Sequence, residues 1–114
     1  MPRRFLFSWD ERNTPHIAEH AVSPSEAAEV VLNTSAPFPR EMADDKHQFW
    51  DRTDRGRYLQ VICIFPADED VDITTLSPED VIAFSDGSGC VVYVIHARDL
   101  TDREKRQLRR LRRS

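Results

Sequence analysis

Residues 58–65, Tyr-Leu-Gln-Val-Ile-Cys-Ile-Phe, place apolar side chains on both sides of an extended run, with Gln60 the one interruption. Successive strand residues point to opposite faces, so such a run belongs in the middle of a sheet rather than at its edge. The rest of the chain must supply its neighbours. His47–Arg52 reads as a weaker strand, and Asp54-Arg55-Gly56-Arg57 supplies the turn of a hairpin between the two, with Gly56 available for a positive φ. Cys90–His96 is the next strand of comparable strength, and Arg4–Trp9, rich in aromatics and leucine, is an opening strand ended by Asp10.

Helix starts are written in the capping chemistry. Thr14 with Pro15 at the first helical position predicts a short helix through His20. Ser23 and Glu26 form a capping box with Pro24 at N1 and Val22 placed to staple against Ala27, which predicts a helix from Pro24 to about Leu32 with Ala27, Val30 and Val31 turned to a sheet. Residues 33–45, with two prolines and paired aspartates, read as a connection. Ser77-Pro78-Glu79-Asp80 opens a small helix, and Thr101-Asp102-Arg103-Glu104 is a further capping box for a terminal helix over about 101–113. Only Leu108 and Leu111 offer that helix a later apolar face, so weak docking is expected beyond its first two turns. The order predicts a single α+β domain over 1–114: a small antiparallel sheet with two helices after the first strand, a C-terminal helix, and the helices mainly on one face.

Charge is segregated along this frame. Residues 98–114 hold eight Arg or Lys against three acids, residues 1–97 hold eight against seventeen, and no Arg or Lys occurs between Arg57 and Arg98. The insert at 66–89 carries seven carboxylates and no base. A separation this sharp faces a polyanion or an acidic partner. No apolar window approaches the roughly 18–20 residues of a membrane span, and Phe5-Leu6-Phe7 is too short for a secretory signal, so the expected location is the cytoplasm. Cys63 and Cys90 fall in strands without the spacing of a zinc or redox site and read as buried reduced thiols.

Three segments carry a resemblance. Phe7-Ser8-Trp9-Asp10 with Asn13, Glu19-His20-Ala21-Val22-Ser23-Pro24-Ser25-Glu26-Ala27, and Ile95-His96-Ala97-Arg98-Asp99-Leu100-Thr101-Asp102-Arg103-Glu104 are similar, in the same order, to the motifs of the BrnT-type toxins of bacterial toxin–antitoxin pairs. Gly56-Arg57 before the long strand fits the same pattern. This chain has Glu19 where the family has Lys, Ala21 for Gly, Gln48 for a frequent Arg and His96 for Ser, and its 66–89 insert is longer. The resemblance implies a RelE-like fold, a metal-independent endoribonuclease that inhibits translation, RNA as substrate, and a cognate antitoxin in a heteromeric complex. A non-catalytic, BrnT-like protein-interaction module is the alternative.

RNA cleavage of this kind needs a base for the 2′-OH proton, cations for the pentavalent phosphorane and an acid for the 5′-oxygen. Arg98, the cation at a strand-to-helix junction, is the leading catalytic candidate because its fork matches a phosphate; an ion pair to Asp99, Asp102 or Glu104 is its competing role. Arg57 joins it through the family match, His96 as an imidazole titrating near neutrality, and His20 through its motif. Arg55 and Arg52 at the hairpin, with Trp50 beside Arg52, and Arg103 and Arg106 on the basic helix are the RNA-binding candidates. Alternation places His96 across its strand from Tyr93. His16 and His20 share helical spacing, but without an adjacent Glu or an evident third ligand no metal or other cofactor is expected.

Overall fold

The computed structural model describes residues 4–113. In chain order the elements are β1 (Arg4–Ser8), α1 (Asn13–Ala18), α2 (Pro24–Asn33), β2 (Arg40–Glu41), β3 (His47–Arg52), β4 (Tyr58–Ile64), α3 (Pro78–Ser85), β5 (Gly89–Asp99) and α4 (Asp102–Arg113). The class is α+β. One sheet runs β1-β5-β4-β3-β2, with β4, the apolar run that demanded a central place, third of five.

Two features of the sheet differ from the sequence expectation. β1 pairs with β5 in parallel, so the sheet is mixed. Antiparallel pairing is imposed only on strands joined by a tight turn, and the first and last strands are not joined in that way. The helices also cover both faces. Phe49, Leu59, Val61, Val92 and Val94 pack with Ile17, Val22, Ala27 and Val30 of the α1–α2 side. Their strand neighbours of opposite parity, Leu6 and Val91, pack with Leu76 and Ala83 of the acidic insert, while Trp50 packs with Phe38, Leu100 and Leu108. The insert therefore builds a second layer at the β1 edge, and α4 builds one at the β3 side.

Docking of α4 extends further than expected. Leu108 is 2% exposed, Leu111 is partly buried beside it, and Arg112 in the last turn donates to the buried Asp51 carboxylate at 2.7 Å. The long side chain of Arg112 does what an apolar residue would otherwise do, anchoring the third turn. The capping reading is realised at α2, where Ser23 and Glu26 bond each other's backbone N–H, and at Thr101 and Glu104 before α4. At α1 it is not: the helix begins at Asn13, and the Asp10 carboxylate, rather than Thr14, accepts from the backbone N–H groups of Arg12 and Asn13.

The turn from α1 to α2 passes through Ala21, whose φ of 56° lies in the left-handed region. An L-residue there costs about 1–2 kcal/mol, partly offset because glycine loses more entropy on folding. Ala21→Gly is therefore expected to stabilise the protein by about 0.5–1 kcal/mol, read as a higher denaturant midpoint with unchanged slope; a lower midpoint would show that the turn is not strained.

Candidate functional site around the end of β5

β1 stops pairing with β5 at the Ser8–Tyr93 step, so the last six residues of β5 have β4 on one side and an open edge on the other. α1 and the turn after it fill that edge. They are aimed there by a bracket of short-range bonds: the Asn13 amide donates to the carbonyl of Ser8 at 2.9 Å and accepts from the N–H of Asp10 at 2.8 Å. Tyr93 closes the bracket by donating to Asp10 at 3.0 Å. Burial works to raise the Asp10 pKa, but the bonds from Asn13, Arg12 and Tyr93 outweigh it and the net shift is downward. The Trp-Asp-x-x-Asn signature is thus a device for positioning α1.

A β-bulge then changes the strand. Cys63 of β4 faces Val94 and Ile62 faces His96, leaving Ile95 as the extra residue. Simple alternation between Tyr93 and His96 is broken, in correction of the sequence expectation. The two still occupy separate places, because Tyr93 bonds Asp10 whereas the His96 ring lies 5.2 Å from that of His20 and 5.8 Å from that of His16, centroid to centroid. Three imidazoles, one from α1, one from the turn after it and one from β5, are brought together. Burial lowers the His96 pKa, and the charges of His20, His16 and Arg98 push it the same way. His96 is therefore neutral near pH 7 and able to accept a proton. Among the described residues no three His, Cys, Asp or Glu side chains are set to hold a metal ion.

Two arginines flank the imidazoles, and their donor inventories differ. Arg57 gives Nε and Nη2 to Asp99 at 2.8 and 3.0 Å, Nη1 to Glu26 and to the Ala21 carbonyl, and Nη2 to the His20 carbonyl at 3.3 Å. A guanidinium has five N–H donors, so this fork is saturated. Asp99 hydrogen bonding, foremost, raises the Arg57 pKa and keeps it charged. Arg98 spends Nη1 on the Asp99 carbonyl and on Glu104 at 2.7 Å, and Nη2 on the second Glu104 oxygen at 2.9 Å. Of the three acids open to it in sequence, Glu104 is its partner, and Nε–H and one Nη2–H make no bond among the described residues. Arg98, through its hydrogen bonds, pulls the Glu104 pKa down to about 2.

Other candidates lie apart from this cluster. Arg52 and Arg55 line a groove of about 850 Å³ at the hairpin tip, together with Tyr58 and Arg112, while Arg103 and Arg106 are exposed on α4. Trp50 is buried, its indole N–H donating to Gln60 at 3.0 Å, which makes it a core residue. Cys63 is buried and its thiol pushed up to about 12 by desolvation, as an inert core thiol should be, whereas Cys90 is only partly buried, in correction of the sequence expectation. The acidic insert docks through Leu76 and Ala83 on Leu6 and Val91, through Asp80 on Arg4, and through Thr75 on Ser8. These contacts lie at the opposite half of β5 from Arg98. Sequence reasoning missed His16 as a member of the cluster, although its i, i+4 spacing from His20 was the available signal.

Comparison of the chain with protein-family models, with curated proteins and with solved structures finds no match.

Arg57→Ala should cost about 2–3 kcal/mol of stability, the range for losing hydrogen bonds to charged groups, with Arg57→Lys in between because it keeps the charge without the fork. Chemical denaturation measures this; an unchanged midpoint for Arg57→Ala would refute the clamp. Glu104 has a folded pKa below its ordinary 4.5, so its contribution is present above that value and lost as pH falls toward about 2. The thermal midpoint of Arg98→Ala should accordingly fall less steeply than wild type between those pH values.

Proposed function

We propose that the chain is a BrnT-like toxin of RelE-like architecture, a metal-independent endoribonuclease acting in the cytoplasm and neutralised by a cognate antitoxin. The observation that carries this reading is the meeting of three imidazoles with Arg98, two of whose N–H donors are unspent among the described residues, at the end of β5 beyond its pairing with β1. The motif resemblance supports the same reading. His96, kept neutral by burial and by its cationic neighbours, takes the 2′-OH proton as that oxygen attacks phosphorus. Arg98 offers its free edge to the phosphorane, and Glu104 fixes the guanidinium from behind. His20 or His16 returns a proton to the departing 5′-oxygen. Arg57, with every donor engaged, positions the strand end and the His20 turn. No helix among the described residues is long and apolar enough to cross a membrane.

The test is induced expression of wild type and Arg98→Ala at matched soluble protein, with total RNA examined. Growth arrest with fragmented RNA, relieved in the variant, supports the toxin; normal growth and intact RNA at high expression would assign the chain to protein interaction instead. On purified protein, His96→Ala should slow cleavage by about 10²–10⁴-fold, the usual weight of a general base. Because His96 must be in its base form and its pKa lies below the ordinary 6.5, the low-pH limb of the wild-type kcat/KM profile should lie below that value. A rate that fell between pH 8 and 7 would place the catalytic proton on another group.

A further inference from the structure

The last turn of α4 joins two grooves. Arg112 lines the groove of about 850 Å³ at the hairpin tip with Arg52 and Arg55, and its neighbour Arg113 lines a second groove of about 390 Å³ with Arg106, Arg109 and Arg110. Positions 106, 109, 110 and 113 recur at i, i+3, i+4 and i+7, so they form one stripe along the helix, while Leu108 faces the core. The stripe's groove is lined by arginine alone. In the hairpin groove Asp51 is occupied by Arg112 and Asp54 by Asn33. Arg52, Arg55, Arg106, Arg109 and Arg113 make no ion pair among the described residues, whereas Arg57, Arg98 and Arg112 are all paired with carboxylates.

We propose that these two grooves form one track for the backbone of a single-stranded RNA, running from the hairpin tip along α4 toward its N-terminal end, where Arg98 and Glu104 sit. The inference rests on the ribonuclease reading and gives the strand its path. Guanidinium forks match phosphate oxygens, and neighbours on a helix face stand about 5–6 Å apart, which suits a chain of regularly spaced anions. Tyr58 at the hairpin groove offers a ring on which a base can stack. The path bends from a helix stripe into a loop groove, which a flexible strand can follow and a stiff duplex cannot. An acidic protein segment would want apolar anchors beside the cations, and the stripe presents none.

The experiment uses a 2′-O-methyl RNA strand of roughly twelve nucleotides, within the span of about 4–16 that single-strand sites cover, which binds without being cleaved. Fluorescence anisotropy follows its affinity between about 50 and 200 mM salt. The triple variant Arg106→Glu/Arg109→Glu/Arg113→Glu and the double variant Arg52→Glu/Arg55→Glu should each weaken binding and flatten the salt slope by about 0.7 for every phosphate left without its arginine. Circular dichroism checks the fold, and Gln versions replace any Glu variant that misfolds. Unaltered affinity and slope in both variants would overturn the track, as would a wild-type protein that binds labelled poly-glutamate and does not bind the strand. Cleavage surviving in His96→Ala, with the slopes changed as expected, would remove the catalytic assignment and leave the track in place.

Discussion

The guanidinium of Arg57 is the contact through which four parts of the molecule fix one another. From the first residue after the hairpin turn it reaches Glu26 in the first turn of α2, the carbonyls of His20 and Ala21 between the helices, and Asp99 at the end of β5. Glu26 serves twice, holding Arg57 and closing its own capping box, so the start of α2 is tied to the sheet through one carboxylate. With its fork filled, Arg57 leaves no choice in where the His20 turn sits relative to β5. The imidazole cluster inherits its geometry from this clamp, since His20 lies in the turn and His96 on the strand.

Much of the fold was legible because it depends on local chemistry. Ser23 with Glu26 and Thr101 with Glu104 cap as their sequence patterns say, and the two-sided apolar pattern of residues 58–65 correctly places β4 in the middle of the sheet. The errors fall where long-range partners decide. Asp10 takes the cap of α1 from Thr14 because Asn13 and Tyr93 hold it in place, and Tyr93 is eighty-three residues away. The third turn of α4 docks because a buried aspartate on β3 awaits Arg112, and nothing in the helix's own apolar pattern announces that pair.

The candidate site was partly legible for the same reason. Arg98, Arg57, His96 and His20 could be picked out by type and spacing, but their roles depend on how many donors each has left. Arg57 and Arg98 look alike in sequence; one is saturated and the other, among the described residues, has an unspent edge. The bulge at Ile95, which breaks the alternation between Tyr93 and His96, has no local signature in a run of strand-forming residues. The charge segregation, by contrast, could be read directly, and the structure keeps its poles apart: the acidic insert docks at the β1 edge, while the arginines of α4 overlie the β3 side.

The parallel pairing of β1 with β5 has a consequence for synthesis. Of the five strands β1 is made first, and it is partnered only by β5, made last, with Arg4 opposite Gly89 and Ser8 opposite Tyr93. While the chain emerges from the ribosome, β1 must wait, unpaired, until the other four strands have been added. His96 and Arg98 arrive later still, on the far half of that same strand. The helical pair and the β3–β4 hairpin can form early from local contacts, yet the cluster of imidazoles and arginine comes into being only once the whole sheet has cleared the exit tunnel.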